Sequence, residues 1–124
     1  MTDSRGNLTF VEGGRHIPFR IARAFWLYEV PGGQMRGGHA YRQLEEVFIV
    51  LSGSVSVTVD DGTAKRRTFL NRSYVGLYVP AMIWRQLEDF STNAVCLILA
   101  SRRFEPEDYV YDYDEFLRLT GSHT

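Results

Sequence analysis

Residues 46–59, EVFIVLSGSVSVTV, set narrow terms for the fold. The stretch is rich in β-branched side chains and breaks at Ser52-Gly53. Val55, Val57 and Val59 then alternate with polar neighbours, the period of a strand with one buried face. Asp60-Asp61-Gly62-Thr63 follows as a hairpin turn of the Asp-Gly type. Further strands are expected over 19–30, which ends at Pro31-Gly32-Gly33, and over 65–70, 74–79, 83–88 and 94–100, all separated by turn residues. Only 111–119 reads as a helix: Asp112, Asp114 and Glu115 suit a helix N-terminus, and Gly121 is placed to follow its end. About eight short strands at this spacing predict an all-β sandwich or barrel, whose inward side chains fill it or line one small-ligand cavity.

The length, 124 residues, fits one domain over 1–124. Fourteen basic and fifteen acidic side chains leave a formal charge of −1, so the chain lacks the overall positive field of a nucleic-acid or anionic-membrane binder. Any bound anion must therefore meet a local site. Cys96 is the single cysteine, in the apolar run 94–100. One thiol makes neither an internal disulfide framework nor a zinc cluster, and it suggests a reducing cytoplasm. No apolar run approaches the roughly 20 residues of a membrane-spanning helix, and the N-terminus lacks a signal-peptide pattern.

The segment GQMRGGHAYRQLEE, 33–46, carries the chemistry. His39 and Tyr41 are two residues apart, so on an extended strand they share one face and can act on one ligand. The spacing Gly33, His39, Tyr41, Glu46, Gly53 resembles the first cupin motif, which usually has a second His at the position of Tyr41. The resemblance extends to the nucleotide-sugar 3,4-ketoisomerases through Arg5-Gly6-Asn7-Leu8, Ile17-Pro18-Phe19, Arg36-Gly37-Gly38-His39-Ala40, Val59-Asp60-Asp61-Gly62, Val75 to Pro80, Ile83-Trp84, Asp89-Phe90-Ser91, Leu99-Ala100-Ser101, Asp108-Tyr109-Val110 and Tyr113 to Phe116.

That resemblance implies a cupin double-stranded β-helix, or jelly roll, that dimerises. It implies an enzyme that moves the ketone of dTDP-4-keto-6-deoxyglucose from C4 to C3, ahead of transamination to a 3-amino sugar, with no metal and no cofactor. The cupin ligand positions fall here on His39, Tyr41, Glu46 and Arg85; arginine stays protonated and is not a metal ligand.

Ketone migration removes the C3 proton, forms an enediol or enediolate and returns a proton at C4. It needs an acid or base on the sugar face and a donor near the oxygens. His39 suits the first task. Tyr41, with an ordinary phenol pKa of about 10, is a poor base unless a cation such as Arg36, Arg42 or Arg85 lowers it, and otherwise donates to the developing oxyanion. Arg36 and Arg23 are candidates for the diphosphate, with a dimer salt bridge the other reading of Arg23. Trp26, Tyr28, Tyr78 and Trp84 are expected as aromatic walls, and Glu46 and Arg85 near the sugar. The long apolar strand 19–30 makes an edge that a second subunit would cover, so a homodimer is expected. Two other readings stay open. One is a non-catalytic cupin that binds a nucleotide sugar or partners a glycan-assembly enzyme; the other is a nucleotide-sugar epimerase.

Overall fold

The computed structural model describes residues 2–3, 6–7, 17–31 and 36–121. Strands β1 (Thr2–Asp3) and β2 (Gly6–Asn7) pair with each other. The remaining strands are β3 (Arg23–Tyr28), β4 (Arg36–Tyr41), β5 (Glu46–Ser52), β6 (Val55–Asp60), β7 (Lys65–Leu70), β8 (Gly76–Val79), β9 (Trp84–Glu88), β10 (Val95–Ala100) and β11 (Tyr109–Val110). They form two antiparallel sheets, one in the order β3-β10-β5-β8 and the other in the order β11-β4-β9-β6-β7. Consecutive strands repeatedly fall in opposite sheets, which gives the double-stranded β-helix, or jelly roll, expected of a cupin.

Both faces of β5 are buried over Glu46 to Val50, because each sheet face has its own cover. Between the sheets, Phe48 and Val50 meet Val55, Val57, Leu87, Cys96 and Ile98. On the outer face of the four-stranded sheet, Val47, Ile49 and Leu99 lie under Ile17 and Phe19. Burying each such side chain contributes about 1.5–3 kcal/mol, which is why a continuous apolar run suits this strand. The break after it is geometric. Gly53 has φ 72°, and a Cβ there would collide with Ser91 Oγ and stand 3.0 Å from Ala94 Cα.

The strand expected over 19–30 is shorter. Phe19 is in a bend and serves as cover, pairing starts with the Ala22 amide on the Ala100 carbonyl at 2.9 Å, and Glu29, at φ 55°, ends the run. Helix α1 (Tyr113–Thr120) matches its expected place. Asp112 caps it by accepting from the Asp114 amide, Gly121 closes it in the left-handed conformation, and Phe116 seats on Ala40, Trp84 and Val110. Alternation along β4 therefore turns Ala40 toward the helix and leaves His39 and Tyr41 facing the space between the sheets. Among the described residues no helix is long and apolar enough to cross a membrane.

Candidate active site

Between the sheets, β4, β9 and β11 from one side and β5 from the other bring together a mixed polar and aromatic cluster. Antiparallel register sets His39 opposite Arg85 and Tyr41 opposite Tyr109. Arg85 reaches across to Glu46, which opens β5, and the two form a bidentate ion pair with both contacts at 2.9 Å. Both side chains are almost wholly buried, at 4% and 2% exposure. Charge-assisted, two-pronged geometry of this kind offsets the desolvation of two buried charges. The guanidinium carbon also stands 5.7 Å from the centre of the Tyr41 ring and 5.2 Å from that of Phe48.

Aromatic rings enclose His39. Tyr41 meets it edge-on at 4.9 Å, Tyr109 stacks on it at 5.0 Å, and Tyr111 continues the stack from Tyr109 at 5.0 Å. The two phenol oxygens of Tyr41 and Tyr109 are hydrogen-bonded at 3.1 Å. Nε2 of His39 is buried and has no hydrogen-bond partner among the described residues. Leaving a buried polar nitrogen unsatisfied costs about 1–3 kcal/mol, so this atom is suited to take a partner from a bound ligand.

Electrostatics fix the protonation states. Burial first, and then the Arg85 charge, push the His39 imidazole down to about 3, so it is neutral near pH 7. Burial and the Glu46 carboxylate hold the Tyr41 phenol above its ordinary value of 10, outweighing the opposite pull of Arg85. The sequence-based option of a cation-lowered phenolate is thus corrected: Glu46 takes up the Arg85 charge, Arg42 points away to Glu115 at 3.0 Å, and Tyr41 remains a donor.

The other expected residues divide. Arg23 faces inward from β3, over the Phe25 ring at 4.5 Å and the Phe104 ring at 5.6 Å, and Phe104 in turn touches Tyr109. It therefore stands at the rim of the same cluster. Trp26 and Tyr28 are on the opposite face of β3, 53% and 60% exposed, because a strand alternates and Phe25 and Leu27 take the inward positions. Tyr78 faces outward for the same reason, bonded to Glu45 and beside Phe19, while Val79 is buried between the sheets. Trp84 alternates with Arg85 and packs under α1 against Phe116 and Tyr113. None of these four rings joins His39. Arg36 opens β4, but its side chain lies outside the described residues, as do Gly33 and the segment 8–16. Tyr109, Tyr111 and Phe104 were missed as site residues. Their signal was the Tyr109-Val110-Tyr111 alternation, hidden in a segment too short to read as a strand. Among the described residues no three His, Cys, Asp or Glu side chains converge on one point, and Glu46 spends both oxygens on Arg85.

Fold and site together define a small cupin with a neutral histidine packed between two hydrogen-bonded tyrosines. The chain belongs to the family described as "FdtA: WxcM-like, C-terminal", whose profile matches residues 1–121. It is 40% identical over 114 residues, 92% of this chain and 82% of the relative, to the TDP-4-oxo-6-deoxy-alpha-D-glucose-3,4-oxoisomerase of Aneurinibacillus thermoaerophilus. Among solved structures it is similar to a 3,4-ketoisomerase from Helicobacter canadensis, with TM-score 0.94 and 37% identity, covering 98% of this chain and 91% of that one. It is also similar to the 3,4-ketoisomerase QdtA from Thermoanaerobacterium thermosaccharolyticum, solved as a mutant in complex with TDP-4-keto-6-deoxyglucose. There the TM-score is 0.94 and the identity 33%, over 97% of this chain and 87% of that one.

Proposed function

We propose that this chain is a 3,4-ketoisomerase acting on a TDP-linked 4-keto-6-deoxyhexose, moving the ketone from C4 to C3 by proton transfer. The observation that carries this reading is the buried Nε2 of His39, unpartnered among the described residues, beside the hydrogen-bonded phenols of Tyr41 and Tyr109. The relatives' printed activities supply the substrate class.

The ketone at C4 acidifies the C3 hydrogen, and a neutral imidazole can accept it. His39 is a weak base in the empty site, but an enediolate forming beside it supplies the negative charge that favours an imidazolium. Base and developing anion therefore stabilise each other. Tyr41, kept protonated, belongs to the hydrogen-bonding system that meets the developing oxyanion. Glu46 and Arg85 form the floor, and Arg23 at the rim is suited to the diphosphate as a planar fork of donors. The active form is a homodimer. Trp26, Tyr28 and Leu97 make an apolar outer face on the edge strand β3 and its neighbour, which supports coverage by a second copy.

Proton NMR of the protein with freshly made dTDP-4-keto-6-deoxyglucose in deuterated buffer tests the reading. The expected result is ketone migration to C3 with deuterium uptake, lost by about 10²–10⁴-fold in His39→Asn. Absence of migration in the wild-type protein, with dTDP still raising its melting temperature, would identify a binding protein instead. Uptake at a carbon other than C3 or C4, with the ketone fixed, would identify an epimerase.

A further inference from the structure

Moving a ketone to the neighbouring carbon requires two proton movements. One is between the carbons, and His39 answers it. The other is between the oxygens: the C3 hydroxyl loses its proton and O4 gains one. Nothing in the preceding assignment performs this second transfer, since a single imidazole engaged with a carbon-bound hydrogen cannot also serve two oxygens.

Tyr41 and Tyr109 stand directly opposite each other on β4 and β11, with their ring centres 4.6 Å apart and their hydroxyls joined at 3.1 Å. Vicinal oxygens on a sugar ring are separated by a similar distance, about that of an ordinary O–H···O contact. Tyr41 donates to Tyr109, which leaves the Tyr109 proton to point onward. Both rings pack against the imidazole that takes the C3 hydrogen. The pair therefore stands against the imidazole and is polarised in one direction.

We infer that Tyr109 is a further catalytic residue, and that it forms with Tyr41 a two-phenol relay carrying the hydroxyl proton from O3 to O4. The inference rests on the ketoisomerase reading above. His39 takes the C3 proton and the electron pair moves to O4, giving an enediolate beside the imidazolium; O4 then takes the proton of Tyr109. Tyr109 is refilled from Tyr41, and Tyr41 from the C3 hydroxyl. The negative charge now on O3 returns as the C3 carbonyl forms, and C4 recovers the proton from His39. One C–H and one O–H bond break and one of each forms, with no oxidant, reductant or co-reactant. Neither phenol passes through a free phenolate, because each gives one proton as it receives another. This agrees with an environment that disfavours the Tyr41 anion. Rotation of the two hydroxyls resets the relay.

The test separates the two transfers. Tyr109→Phe keeps the ring and its packing on His39 and removes only the hydroxyl. In deuterated buffer with dTDP-4-keto-6-deoxyglucose, this variant should lose ketone migration by about 10²-fold or more, and by at least about tenfold more than it loses deuterium uptake at C3 of recovered substrate. Tyr41→Phe should show the same uncoupling, and the double variant should be no worse than either single one. A structural role predicts instead that exchange and migration fall together, and that outcome overturns the relay. So does wild-type migration in Tyr109→Phe. If the wild-type protein neither migrates the ketone nor exchanges C3, the ketoisomerase reading itself fails, which is a different result from failure of the relay alone.

Discussion

Glu46 and Arg85 form the most deeply buried ion pair among the described residues. Glu46→Gln removes the carboxylate that compensates a buried guanidinium, and should cost about 3–5 kcal/mol in urea denaturation, whereas replacing both members by apolar side chains of similar volume should cost far less. His39 makes a prediction of opposite chemical sense. Its imidazole titrates at about 3 when folded against 6.5 ordinarily, so between those values the unfolded chain binds a proton that the folded chain refuses. Stability from this group is complete above pH 6.5 and is lost as the pH falls toward 3. Melting temperatures of the wild type and His39→Asn, followed over that range, should show the wild type falling more steeply. Tyr41 acts at the other end: its raised value adds stability that fades as the pH climbs past 10. At this scale the sequence was partly legible. His39 and Tyr41 could be paired from strand alternation, and Glu46 and Arg85 from the cupin spacing. That Glu46 would neutralise Arg85, and so keep Tyr41 protonated, depends on two side chains far apart in sequence meeting across the barrel, which no local pattern encodes.

Elements were easier to read where one strong local signal marked them. The Ser52-Gly53 break, the Asp60-Asp61-Gly62 hairpin and the Asp112 and Gly121 helix ends all sit where residue chemistry required them. Gly53→Ala should therefore destabilise the fold by more than about 1 kcal/mol, by strain at positive φ added to the collision with Ser91, measurable as a lower urea midpoint with unchanged slope. What stayed hidden was which face each strand turns inward. Trp26, Tyr28, Tyr78 and Trp84 are large apolar rings on strands of the right kind, yet all four lie on outer faces, because both sheets have covered or coverable outsides. Composition cannot choose between two faces that both bury apolar side chains. β11 failed for another reason: two residues are too few for a period to show.

For the whole molecule, the expected assembly follows from the exposed face around Trp26. Light scattering at micromolar concentration should give a dimer mass, and Trp26→Glu should shift it toward the monomer without disturbing the residues that surround His39, which are on the other side of β3. A wild-type monomer would remove the homodimer from the proposal. The last consequence concerns direction. Because Glu46 and Arg85 cancel each other, His39 is neutral and Tyr41 is held protonated, the described residues around His39 offer no net charge to an incoming ligand. Arg23, in contrast, waits at the mouth between two rings. Such a vessel sorts the two ends of an amphiphilic molecule: the uncharged sugar can shed its water and pass inward, while a charged phosphate group has every reason to stay outside. Orientation of the substrate is thereby settled before any hydroxyl has been recognised.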